Sequence, residues 1–300
     1  MTNLSDNMRG AVLMMLSMAA FTFNDAFMKA LSDELPLFQA LFLRGAATIV
    51  ILVLLARRMG HLRLDLPRRD WGLIALRTTA EALAAYFFIS AIFNMPFANA
   101  TAILQVLPLS IALAGALFLG EPVGWRRLTA ILVGFGGVLL IIRPGADGFN
   151  FYSIYALIAV VVVTVRDLVT RRLSKQVPSL TVAVCAAIGV TAFTGIGSLT
   201  IEWVPVSTTA ALQLLGATLF VLCGYLMSIM VMRVGEIGFI APFRYTSLIW
   251  AFLLGIFIFG ETPHVLTVIG ASIVAAMGIF TLWRERRLAR AAGPVPLRVR

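Results

Sequence analysis

Eight ionisable side chains interrupt long apolar runs in this 300-residue chain: Asp25, Lys29, Arg44, Arg77, Glu81, Arg166, Asp167 and Arg244. The runs are about 20 residues long, the length of a helix that crosses the hydrocarbon of a bilayer. A charge at the centre of such a helix costs roughly 2.5–3.5 kcal/mol, so each needs a partner or a purpose. Arg77 and Glu81 are four apart, as are Asp25 and Lys29, and Asp167 and Arg171. That spacing puts both members on one helix face, one turn apart. Each pair reads in two ways. It is an ion pair that lets its helix insert, with Lys29 and Arg171 reaching for the interface, or a site where a ligand competes for one partner. Arg44 and Arg244 have no acidic residue in their own runs. A guanidinium fork suits carboxylate or phosphate. Five basic against three acidic groups leave a positive excess, which predicts a cavity for an anionic or zwitterionic ligand. The alternative is that Arg244 pairs with Glu81 or Asp167 across helices. The carboxyls Asp25, Glu81 and Asp167 are candidate gate or proton-coupling groups, because a carboxyl in an apolar wall can take up and release a proton.

Neutral groups extend the set. Tyr86, Phe87 and Phe88 follow Glu81 and could stack on a flat ligand or simply pack. Asn24, Asn99, Thr101, Gln105, Tyr245, Thr246 and Ser247 are further candidate lining. Pro108 and Pro242 lie inside apolar runs, where each frees a backbone carbonyl for a ligand or a neighbouring helix. The site proposed from sequence is therefore Arg44, Arg77, Glu81, Tyr86, Gln105, Arg244 and Tyr245, with Asp25, Glu81 and Asp167 as gate or proton-coupling residues. Catalytic chemistry has no foothold. There is no His-Glu-x-x-His, no Gly-x-Ser-x-Gly and no phosphate-cradling Gly-x-x-x-x-Gly-Lys loop. Cys185 and Cys223 sit in apolar runs without metal-ligand spacing, so no metal and no cofactor is expected.

The elements that must hold these groups follow from composition. The chain is 60% hydrophobic and 13% charged, which a soluble domain could not cover. The first apolar run is too long for a signal-peptide core. Ten helical spans are expected: 10–31, 37–56, 71–93, 97–119, 128–142, 152–170, 180–200, 210–232, 238–259 and 264–283. Eighteen of the 24 Lys and Arg residues fall in loops on the side of the N-terminus and only Arg143 on the other. That predicts cytoplasmic termini and makes nucleic-acid binding a needless reading of the +10 charge. Depth along the spans then puts Asp25, Lys29 and Arg44 toward the outer side and Glu81 near the middle. Arg77, Arg166, Asp167 and Arg244 lie toward the inner side.

Two echoes suggest a duplication. Gly120-Glu121 and Gly260-Glu261 are 140 positions apart and each closes an apolar run. Asn24-Asp25-x-x-x-Lys29-x-Leu31 resembles Arg166-Asp167-x-x-x-Arg171-x-Leu173 at an offset of 142. Five helices is an odd number, so a second copy enters the membrane from the opposite face. The expected fold is an all-α integral membrane protein with ten transmembrane helices as two inverted five-helix repeats. Its units are 8–143 and 150–285, followed by a basic cytoplasmic tail, 286–300. Glu121 and Glu261 read first as helix ends, and alternatively as locks on opposite faces.

With these residues in hand, the chain resembles the drug/metabolite transporter superfamily, in particular its EamA-type members. The resemblance spans roughly residues 8–285. It rests on Phe42-Leu43-Arg44-Gly45, Pro108, Gly120-Glu121-Pro122, Gly134-Phe135-Gly136-Gly137, Ala241-Pro242-Phe243-Arg244-Tyr245 and Gly260-Glu261. The seventh span carries no copy of the Phe-x-Arg signature of the second. Similar proteins export amino acids or take up riboflavin or S-adenosylmethionine. The resemblance implies a secondary transporter of a small organic metabolite in the cell inner membrane, working by alternating access. Its partners are the lipid bilayer and a small-molecule substrate, with proton coupling and a homodimer both compatible. A channel or structural membrane subunit is the competing reading, and an intramembrane enzyme a more distant one.

Overall fold

The computed structural model describes residues 5–59, 65–120, 124–145, 149–174, 176–231, 234 and 236–291. The elements are α1 (Asp6–Ala30), α2 (Leu37–Met59), α3 (Arg68–Asn94), α4 (Phe97–Leu104), α5 (Leu107–Leu119), α6 (Trp125–Ile142), α7 (Tyr152–Arg171), α8 (Ser179–Ser198), α9 (Thr208–Val231), α10 (Ile237–Ile240), the 3-10 turn η1 (Ala241–Tyr245), α11 (Thr246–Phe257) and α12 (Val265–Ala291). No strand occurs among the described residues. Among the described residues, nine helices are long and apolar enough to cross a membrane, with α4 and α5 counted as one span, Phe97–Leu119. A shorter apolar helix, Ala241–Phe257, supplies a tenth segment. Leu117, Phe118, Leu199 and Phe257 are each about seven-tenths exposed or more, as side chains facing lipid would be.

The ends of several spans run past their apolar pattern. The first helix starts at Asp6, four residues before the expected Gly10, because Ser5 caps it by accepting from the Met8 N–H at 3.4 Å. The last continues to Ala291, through basic residues that hydropathy gives no reason to call helical. Two spans are interrupted where prolines fall. Between α4 and α5 the chain tightens at Gln105 and Val106, since Pro108 has no N–H for the Leu104 carbonyl. The ninth span tightens into η1 around Pro242.

The main helix crossings are kept under one exchange, although α1·α3 has no α7·α9 counterpart of like size. Replace α1, α2 and α3 by α7, α8 and α9, the α4–α5 span by α10–α11, and α6 by α12. The α1·α9 contact becomes α7·α3, α3·α8 becomes α9·α2, and α1·α11 becomes α7·α5, all present. The α2·α8 and α6·α12 contacts map onto themselves. At the α6·α12 crossing the backbones nearly touch, for a Cβ on Gly137 would stand 2.9 Å from the Gly270 carbonyl oxygen. The termini of α1 define a near end of the bundle, where α1 begins, and a far end, where it finishes.

Candidate functional site

The interrupted helices and their neighbours enclose a cavity of about 410 Å³. Its wall takes residues from both halves: Met18, Phe21, Thr22 and Asp25 of α1, Arg44 of α2, and Arg77, Glu81 and Phe88 of α3. Thr101, Gln105 and Leu107 come from the fourth span, Arg166 from α7, Tyr225 and Ser228 from α9, and Arg244 and Ser247 from the ninth span. A smaller hollow of about 90 Å³ adjoins it, sharing Arg44, Glu81, Ala85, Val221 and Tyr225.

Four arginines and two carboxylates face this space. Helix α3 explains part of the pattern, because Arg77, Glu81, Ala84 and Phe88 recur at helical spacing and share one stripe. Arg77 Nη2 lies 3.4 Å from Glu81 Oε2, an ion-pair contact without a hydrogen bond, and its Nε donates to Thr170 Oγ1 at 3.1 Å. Arg166 carries the stronger link. Its Nη1 donates to Glu81 Oε1 at 3.1 Å and its Nη2 lies 2.8 Å from Asp167 Oδ1. Arg77, Glu81, Arg166 and Asp167 thus form one network joining α3 to α7.

Asp25 makes a different arrangement. It accepts from Asn24 Nδ2 at 2.8 Å, and Asn24 Oδ1 accepts from Arg44 Nη1 at 3.1 Å. The expected Asp25–Lys29 pair does not form. Lys29 turns instead to Glu261, at 3.1 Å. Arg244 makes no ion pair among the described residues, so the expected alternative of a bond to Glu81 or Asp167 is not what is seen: Arg166 occupies both. Arg77 Nη1, Glu81 Oε2 and Thr101 Oγ1 are buried without a hydrogen-bond partner, and their residues line the cavity.

The structure brings Asp25, Arg44, Arg77, Glu81, Gln105 and Arg244 to one cavity. It places the other three expected residues elsewhere. Tyr86 stands five positions from Glu81, about 140° round the helix. Its ring stacks on Phe38, centroids 5.5 Å apart, and meets Phe193 and Tyr155. Tyr245 is 6% exposed with an unpaired hydroxyl, packed toward Gly278 of α12. Asp167 sits behind Arg166. The residues missed are Arg166, Phe21 and Tyr225. Arg166 was visible as an intramembrane charge, and the Asn24–Asp25 echo marks its place. Phe21 and Tyr225, in edge-to-face contact at 5.5 Å, had no distinguishing signal in apolar sequence. Glu121 falls outside the described residues, as does the tail beyond Ala291.

Comparison with known proteins agrees with this architecture. The EamA-like transporter family matches residues 8–143. A riboflavin transporter of Vibrio cholerae is 25% identical over 94% of this chain and 96% of its own length. An S-adenosylmethionine uptake transporter of Rickettsia bellii is 24% identical over 91% of this chain and 93% of its own. A pseudopaline exporter of Pseudomonas aeruginosa is 30% identical over 50% of this chain and 51% of its own. A solved crystal structure, 18% identical, superposes with a TM-score of 0.65 over 95% of this chain and 99% of that one, which shows a shared fold. The EamA-like match over residues 8–143, the relatives spanning nine-tenths of the chain and the apolar helices together mark this protein as a multi-pass membrane protein with an EamA-type transporter domain, similar to small-metabolite transporters of the drug/metabolite transporter superfamily.

Proposed function

We propose that the chain carries a small organic anion or zwitterion across the cell inner membrane by alternating access, with the cargo held in the 410 Å³ cavity. One observation carries this reading. Arg244 lines a cavity shared by both halves, faces a surplus of arginine over carboxylate, and has no acidic partner among the described residues. Arg244 is only half-buried, so part of its guanidinium is open to the cavity, where a cargo carboxylate or phosphate would give it a charge-assisted bond. Arg44 is held by Asn24 rather than by a carboxylate directly, so it too can turn part of its fork to cargo. In this reading 8–143 and 150–285 are inverted repeats, with the near end and the tail 286–300 in the cytoplasm. The packing symmetry supports it, because two interchangeable halves can present the same cavity to either face. Asp25, Glu81 and Asp167 are the groups through which protons would couple.

Relatives named for riboflavin and S-adenosylmethionine supply the probes. These two, with a panel of amino acids, are tested for binding to purified protein and for counterflow in proteoliposomes. Arg244→Ala and Arg44→Ala should each weaken binding of the responsive compound about tenfold or more, the loss expected for a charge-assisted contact. Unchanged affinity in both variants removes the anion site. In the same vesicles, Asp25→Asn, Glu81→Gln and Asp167→Asn are compared under a pH gradient. If all three keep gradient-driven uptake, proton coupling through these carboxyls is wrong.

A further inference from the structure

Lys29 and Glu261 come from opposite halves of the chain and meet at the far end of the bundle. The ammonium has three N–H donors, and three acceptors surround it: Glu261 Oε1 at 3.1 Å, the Met95 carbonyl at 2.9 Å and the Ile92 carbonyl at 3.2 Å. The Phe259 ring lies beneath, 5.5 Å from Nζ. The second oxygen of Glu261 accepts the Phe97 N–H at 2.6 Å. Phe97 is the first residue of α4, so this carboxylate caps a helix of the other half. The side chains are only 12% and 21% exposed.

The local fold aims Glu261 at this position. Gly260 adopts φ +63 after α11, and the Glu261 N–H returns to the Gly255 carbonyl at 2.8 Å. The chain turns back there on a residue in the left-handed region, a conformation that favours glycine. The Gly-Glu pair therefore does more than stop a helix. Its glycine turns the chain and its glutamate crosses to the other half.

We propose that Lys29 and Glu261 form a gate: a latch joining α1, the α3–α4 corner and the end of α11, which must open for cargo to leave or enter at the far end. The inference rests on the alternating-access reading above. A bond made of several charge-assisted contacts across the seam, and lying outside the cavity wall, is suited to this task. It holds one face shut and breaks as a unit when the halves rock apart. It is also separable from the cargo site, since neither residue lines the cavity.

The test needs no cargo. In a protein with Cys185→Ala and Cys223→Ala, Phe88→Cys places a thiol on the cavity wall. Its labelling by a membrane-impermeant maleimide is followed from the far side in oriented vesicles. Lys29→Gln and Glu261→Gln should each speed labelling about tenfold by raising the population open at that face. The charge reversal Lys29→Glu with Glu261→Lys, which can remake the pair, should return the rate toward the parent. Unchanged labelling in both single variants, with melting temperatures near the parent's, overturns the latch. If the single variants fail to fold, Glu261→Asp is used: it keeps the charge and shortens the reach. A faster rate there supports the gate and an unchanged rate overturns it. Because labelling reports opening alone, a negative result here leaves the anion-site reading standing, and failed cargo binding leaves the latch standing.

Discussion

Glu81 is the residue on which the polar wall converges. It accepts from Arg166 at 3.1 Å and balances Arg77 at 3.4 Å. Removing its charge leaves two guanidiniums facing one another, and only Arg166 has a second carboxylate, Asp167. Breaking a buried pair from one side costs several kcal/mol, less beside an open cavity where water screens the charge. Glu81→Gln should destabilise the protein by about 2 kcal/mol, read as a lower melting temperature in detergent. Asp167→Asn should cost less, since Arg166 keeps Glu81. Equal melting temperatures for Glu81→Gln and the parent would show that the network is too solvated to matter. The sequence revealed these charges because any ion in a membrane span is conspicuous. It did not reveal their partners. Lys29 passed over the partner that spacing suggested, and Arg166, for which spacing suggested none, reached Glu81 of α3, because a long side chain reaches whichever helix the tertiary packing brings beside it. Tyr86 was misread for a simpler reason. Helical phase already placed it away from the stripe of Arg77, Glu81 and Phe88, whereas Tyr245 became buried through a turn that no periodicity describes.

At the scale of elements, the prolines and the Gly-Glu pairs mark where helices bend or stop. Gly120 and Gly260 adopt nearly the same left-handed conformation, φ +67 and φ +63. An L-residue there costs roughly 1–2 kcal/mol. Gly260→Ala should therefore lower stability by about 1 kcal/mol and, by loosening the latch, speed far-side labelling of the Phe88→Cys reporter as well. Gly120→Ala should carry the same backbone cost without raising far-side labelling, because Gly120 lies at the other end of the bundle. Matching labelling rates for the two variants would deny Gly260 any role beyond its own turn. All ten spans could be placed from apolar runs and prolines, with ends that shifted where caps or charged turns extended a helix. What hydropathy could not show is which helices touch, since lipid-facing and helix-facing positions are equally apolar.

For the whole molecule, the distribution of Lys and Arg predicts that both termini face the cytoplasm. A fluorescent protein fused after Arg300 should fold and emit in cells, and a periplasmic reporter fused there should stay silent. A reporter at Gly145, beside Arg143 in the α6–α7 connection, should show the reverse. A signal from the periplasmic reporter at Arg300 would invert the topology, and with it the face assigned to Lys29 and Glu261.

The self-mapping contacts of the exchange have a kinetic meaning. In the proposed cycle, opening one face turns each contact into its counterpart, so α1·α9 and α3·α7 swap roles. The α2·α8 and α6·α12 crossings have no counterpart but themselves. A substitution that widens one of them, such as Gly137→Leu against Gly270, raises or lowers the two facing states together. Its effect is common to both directions: by moving the barrier relative to both states it changes how often the carrier turns over, but not toward which compartment it leans.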